Sequence, residues 1–190
     1  MNGFYSISEL KTIGFKSFGE DVKISKKASI YNAELMTIGS HVRVDDFCIL
    51  SGKIKLGSYI HISAFVAMFA GDVGIEMCDF SGISSRCTVY AVSDDYSGMS
   101  MTNPTVPDKY RNLHKGKVII KRHVIIGANS LVLPGVMLDE GSSFGAMTLI
   151  SKNSEPWSIN IGVPFKKIKD RHKNILELEK EFLKEIEIYG

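Results

Sequence analysis

Bulky apolar side chains return every six positions along the second half of the chain, at Ile120, Ile126, Val132, Leu138, Phe144 and Ile150. A helix renews its apolar face about every 3.6 residues and a strand every second residue, so a sustained period of six needs another geometry. Four positions after each return stands a smaller or β-branched residue: Val124, Ser130, Val136, Ser142 and Thr148. A short strand, a corner and another short strand, each turning one large and one small side chain inward, make one face of a parallel β-helix, for which hexapeptide periodicity is a signature. Three hexads close a triangular coil of about 18 residues, and coils stack about 4.8 Å apart. Gly127 and Gly145 directly follow returns, where a tight corner is expected to need a residue free to take positive φ.

The same period runs earlier. Ile24 and Ile30 are six apart, and after a two-residue slip the register holds at Ile38, Val44, Leu50, Leu56, Ile62 and Met68. Val42, Cys48, Ile54, Ile60 and Val66 fill the smaller position. An insertion around Gly71 to Val73 then moves the phase to Met77, Ile83 and Val89. A sandwich of alternating strands would not keep a period of six for so long. Between Val92 and Gly116 the sequence SDDYSGMSMTNPTVPDKYRNLHKG carries no hexad, yet the repeat resumes beyond it. Such an insertion must leave the prism on one side, where solenoids build their binding faces.

The ends differ from the middle. Ser6-Ile7-Ser8-Glu9 has capping-box spacing and Gly14 can end the helix it opens, a segment expected to plug the first coil. Ile175, Leu178, Phe182 and Ile186 share one face of an amphipathic helix, expected to pack on the prism or on a neighbouring subunit. The expected organisation is a cap over 1–20, an all-β parallel β-helix domain over 21–170 with the loop 92–116 outside the repeat, and a helix over 171–190.

Composition narrows the function. With 23 basic and 21 acidic residues there is no charge-based reason to invoke nucleic acid or a membrane surface, and no apolar run nears the ~20 residues of a membrane span. The opening MNGFYSISELK lacks a charged region followed by an apolar stretch, so secretion is not indicated. Cys48 and Cys87 fall at inward positions, which reads as buried thiols in a reduced, cytoplasmic compartment.

The run from VIIGANSLVLPGV through GAMTLISK to IGVPFKKI is similar to the end of the galactoside and maltose O-acetyltransferases. Over about residues 20–170 the chain resembles the hexapeptide-repeat acyltransferases, and the SDDYSG loop followed by TNP resembles the subgroup that acetylates sugars for bacterial surface polysaccharides, including nucleotide-linked amino-deoxy sugars. The resemblance implies a left-handed β-helix, a homotrimer, acetyl-CoA as co-substrate and a sugar or nucleotide-sugar acceptor. Handedness rests on it alone, because parallel crossovers are ordinarily right-handed. It also implies a cofactor groove between neighbouring prisms, with backbone groups of Ala128 and Ala146 on the pantetheine arm, Ser151 on the same arm, and Lys166 and Lys169 near the 3′-phosphate.

At the catalytic position the chain departs from that pattern. Many O-acetyltransferases of this fold carry a His there, whereas counting from Val89 the position falls at Asp94 or Asp95. A carboxylate is a feeble base toward an alcohol but suits an ammonium, whose proton it takes as the amine attacks. This favours N-acetylation of an amino sugar. His114, at the far end of the loop, is the candidate base for the alternative, transfer to a sugar hydroxyl. His41 and His61 sit at outward positions. His114 and His123 lack a third histidine at convincing spacing, so no metal is expected. A scaffold without chemistry would leave GVPFKKI without a purpose.

Overall fold

A computed structural model describes residues 3–189 and is a parallel β-solenoid of about seven turns, as expected for a left-handed β-helix. Helix α1 (Ile7–Ile13) closes one end. Its capping box is formed as the sequence implies, with Ser6 Oγ accepting from the Glu9 amide at 3.3 Å, the Ser6 amide donating to Glu9 at 2.7 Å, and Gly14 ending the helix at φ 88°. Leu10 is buried in the core, and Tyr5, Ile13 and Phe15 pack beside it, so the helix covers the apolar ladder that would otherwise meet water.

Three faces follow. Face A begins at Ser17–Phe18 and continues through Thr37–Ile38, Val118–Ile120 and Met137–Leu138. Face B runs from Lys23–Ile24 to Ser158–Ile161, and face C from Ser29–Tyr31 to Leu149–Ile150. Two long strands, Ile49–Leu56 and Ala67–Met77, turn the corner between faces C and A, which joins those faces in one ten-stranded sheet. The hexad returns stack in register between coils: Ile24 on Val44, Val44 on Ile62, Ile62 on Ile83, Ile83 on Ile126 and Ile126 on Phe144. At four of the polar smaller positions the hydroxyl donates to the carbonyl three residues back, at 2.6 Å for Ser81, Ser130, Thr148 and Ser158, while the Ser154 hydroxyl donates to Ser142 Oγ at 3.0 Å. These buried hydroxyls are thereby partnered inside an apolar prism. Cys48 and Cys87 are fully buried, and burial pushes both thiols up.

The corner glycines act otherwise than expected. Neither Gly127 nor Gly145 has positive φ; that conformation belongs to Asn129 (59°) and Met147 (59°), two residues further on. Gly127 is needed because a Cβ there would meet the Ala146 amide nitrogen at 2.5 Å, and one on Gly145 would meet Ile161 at 2.8 Å. The left-handed corner residue carries a side chain in most coils, and those side chains stack along the edges of the prism. His41, Tyr59, Phe80 and His123 form one ladder, with successive ring centroids 4.7, 4.8 and 5.6 Å apart. Phe47 and Phe65 form another at 5.0 Å. Stacking offsets the ~1–2 kcal/mol that a non-glycine residue costs in this conformation.

Helix α2 (Ile175–Tyr189) docks on the first ladder. Phe182 sets its ring edge against Tyr59 at 5.3 Å and Phe80 at 6.2 Å. Glu179 accepts from His123 Nε2 at 2.6 Å and pairs with the Arg122 guanidinium. Burial, aided by Arg122, holds the His123 imidazole below its ordinary pKa, so the neutral ring donates from Nε2. Leu178 remains 61% exposed, so the prism covers only part of the helix's apolar stripe. Glu179→Ala strands the His123 N–H, leaves Arg122 only Asp79 at 3.5 Å, and is expected to weaken docking by about 1–3 kcal/mol. Hydrogen exchange should then accelerate across α2 while the coils keep their protection.

Candidate active site

The insertion leaves the solenoid at the corner between faces C and A. Its base is an antiparallel ribbon, Val92 opposite Lys115 and Ser93 opposite His114. The ribbon seats against Gly71, a φ 53° glycine whose position a Cβ would close by striking Val92. The loop then folds back over the outer surface of face C and encloses a cleft of about 890 Å³, lined by Phe69, Tyr90, Asp94, Arg111, Lys115 and Leu133 among others.

The two candidate carboxylates have different duties. Asp95 accepts from Ser100 Oγ at 2.6 Å and from the Ser97 amide at 2.8 Å, and these bonds lower its pKa to about 2. It is a turn-forming anion and a poor proton acceptor. Asp94 accepts only the Asn103 amide, at 3.3 Å on Oδ1, leaving Oδ2 without a partner among the described residues. Asp94 lines the large cleft and also a smaller one of about 390 Å³, which it shares with Asp95, His114 and Ser151. Four residues singled out from the sequence thus meet at one opening, and Asp94 is the carboxylate with a free oxygen there.

The remaining candidates lie along the prism. Ala128 and Ala146 occupy the corners between faces B and C on successive coils. The Ala128 carbonyl is taken by the Met147 amide at 2.8 Å, whereas the amides of both alanines and the Ala146 carbonyl have no partner among the described residues. Small side chains and open backbone groups suit a thin amide-bearing arm. Lys166 and Lys169 lie on Lys166–Asp170, which pairs antiparallel with Ser158–Ile161, and both are exposed without an ion pair among the described residues. Between them Lys167 is held by Asp170 and Glu155, which push its pKa to about 12. The two free lysines are therefore the ones available to a phosphate.

The cleft also contains residues that the repeat analysis passed over. Phe69 and Tyr90 stack at 5.2 Å with planes 16° apart. They directly follow the inward Met68 and Val89, so outward aromatics recurring after the returns were the available signal. Arg111 pairs with Asp108 while its Nε is buried without a partner among the described residues, and Lys115 meets Asp72 at 3.0 Å. Among the described residues no cluster of His, Cys, Asp and Glu has the makings of a metal site.

A parallel solenoid of stacked hexads, with one loop closing a carboxylate-bearing cleft over a face, places the chain among the hexapeptide-repeat acyltransferases, and it belongs to that family. It is an acyltransferase. No protein-family model matches the chain. It is 45% identical over 177 residues to the dTDP-4-amino-4,6-dideoxy-D-glucose acyltransferase of Escherichia coli, covering 92% of each chain. It is 55% identical to the N-acyltransferase AntD of Bacillus cereus in complex with dTDP and 3-hydroxybutyryl-CoA, covering 98% of this chain and 100% of that one, with a TM-score of 0.96. The same identity and TM-score relate it to an AntD variant in complex with dTDP-4-amino-4,6-dideoxyglucose and coenzyme A, over 97% of this chain.

Proposed function

We propose that this protein transfers an acyl group from acyl-CoA to the amine of a nucleotide-linked amino-deoxy sugar used in surface polysaccharide synthesis. The observation that carries the reading is the position of Asp94, which has an oxygen without a partner among the described residues and lines both the large cleft and the smaller one it shares with Ser151. The similarity to two acyltransferases of dTDP-amino sugars along nearly the whole chain supports the same acceptor class.

The acceptor's ammonium pairs with Asp94 and loses one proton through that carboxylate to solvent, and the neutral amine attacks the thioester carbonyl. A C–N bond forms and the C–S bond breaks. The amine's surplus proton passes to the Asp94 carboxylate and from it to the departing CoA thiolate, which leaves as the thiol. Ala128, Ala146 and Ser151 hold the pantetheine arm, and Lys166 and Lys169 hold the 3′-phosphate. Acetyl is the acyl group inferred from the sequence, and the AntD complex with 3-hydroxybutyryl-CoA makes a longer chain the second one to try. The groove for the arm lies between prisms of a cytoplasmic homotrimer, so solution mass should be near three times the 21.0 kDa of one chain.

The test is release of CoA thiol from acetyl-CoA with dTDP-4-amino-4,6-dideoxyglucose or with the same nucleotide sugar bearing a 4-hydroxyl. Turnover with the amine alone is expected. Acetylation of the hydroxyl compound that depends on His114 would instead establish the O-acetyl reaction.

A further inference from the structure

The edge between faces B and C carries one left-handed residue per coil: Phe47, Phe65, Arg86, Asn129 and Met147. Main-chain bonds hold these corners in register from coil to coil. The Phe65 amide donates to the Asp46 carbonyl, Arg86 to Ala64, Asn129 to Ser85 and Met147 to Ala128, at 3.0, 3.1, 3.1 and 2.8 Å. Arg86 is the one cation in the column. It is exposed, and its guanidinium lies over the Phe65 ring at 5.7 Å. Arg43, Arg111 and Arg122 each pair with a carboxylate and Arg171 donates to two carbonyls, whereas Arg86 has no such partner among the described residues. Stacking on Phe65 orients a planar fork of donors that stays charged at every working pH and is left open to a ligand.

We infer that Arg86 receives the thioester carbonyl oxygen and stabilises the negative charge that forms on it during acyl transfer. Two measures, taken from opposite sides, reach its level. The pantetheine arm is about 15 Å long, the reach of an extended backbone with as many bonds. Running past Ala146 and Ala128, it comes to the coil of Ser85 and Arg86 after two coil spacings, about 9.6 Å. From the acceptor side, the ribbon that leads to Asp94 leaves the prism in that same coil, directly after the strand Thr88–Tyr90. In the proposed trimer the edge of one copy and the ribbon of the next stand at one height, because a closed ring carries no shift along its axis. As the amine nitrogen bonds to the carbonyl carbon, the C=O π pair moves to oxygen and the guanidinium donates to that oxyanion. The pair returns as the C–S bond breaks, and Arg86 ends unchanged. The inference rests on the proposed acyl transfer to an amine and adds the donor that its developing charge needs.

Arg86→Met keeps the length of the side chain and its cover of Phe65 while removing the charge, and Arg86→Lys keeps a charge without the fork. With acetyl-CoA and dTDP-4-amino-4,6-dideoxyglucose, kcat should fall about 10²–10³-fold in Arg86→Met, the scale of one lost oxyanion donor, and less in Arg86→Lys. Acceptor KM, CoA affinity by calorimetry, sedimentation and melting temperature should stay at wild-type values. A second readout needs no acceptor. In difference infrared spectra of acetyl-CoA isotope-labelled at its carbonyl carbon, the carbonyl band should lie at lower frequency on the wild-type protein than in solution, and return to the solution position on Arg86→Met. A band at the same position on both proteins, or kcat within about threefold of wild type in Arg86→Met, would give the oxyanion to the backbone and overturn the assignment while acyl transfer stands. A band shifted by Arg86 without any turnover of the amine would overturn the acceptor reading and keep Arg86 on the thioester.

Discussion

Asp94→Asn should lower kcat by about 10²–10³-fold, within the range that a positioned general base contributes, with little change in melting temperature. Asn is isosteric and keeps an oxygen for the Asn103 amide, so the loop retains its fold; it loses the capacity to take the amine's proton. Asp95→Asn is the informative neighbour. Its carboxylate is committed to Ser100 and Ser97, so the substitution should loosen the turn and raise the acceptor KM more than it lowers kcat. His114→Ala should leave kcat within about threefold, because an amine acceptor does not need the imidazole. Steady-state kinetics on the three variants decide among them. Turnover that survives Asp94→Asn and disappears in His114→Ala would move the base to the ribbon and make the acceptor a hydroxyl.

The solenoid was legible because its cause is periodic. Each inward position is set by the same local geometry, so Ile120 to Ile150 announce the coil, and the slips before Ile38 and Met77 mark insertions at one corner of the prism. The cap and its Gly14 were equally local. Contacts made between distant coils were not legible. Whether Gly127 is a glycine for its φ or for the backbone of Ala146 above it depends on a neighbour 19 residues away. The site divides in the same manner. Counting from Val89 reached Asp94 and Asp95 but could not separate them, since what distinguishes the two is the bonding of Ser97 and Ser100 to one carboxylate only. Arg111 could not be found by counting, because its place in the cleft follows from the path of a loop without period.

That dependence on the next coil makes a second large effect testable with one methyl group. Gly127→Ala puts a carbon 2.5 Å from the Ala146 nitrogen, 2.6 Å from the Gly145 carbonyl carbon and 2.8 Å from the Phe144 oxygen. All three are backbone atoms, and Gly127 itself donates to that Phe144 carbonyl at 2.8 Å, so no side chain can swing aside to make room. The coils must part, at a cost of about 3 kcal/mol or more, which for a chain of this size lowers the melting temperature by roughly 6–12 °C. Gly82→Ala is the matched control on the same face. Its Cβ would find only the His61 carbonyl oxygen, at 3.7 Å, an ordinary contact. That variant should melt within about 2 °C of wild type. The parting of the coils in Gly127→Ala also displaces Ala128 and Ala146, so CoA affinity should fall with the melting temperature in that variant and hold in Gly82→Ala. Equal melting of the two would mean that coil spacing at this corner is soft, and the alanine edge could not then act as a fixed rail for the pantetheine arm.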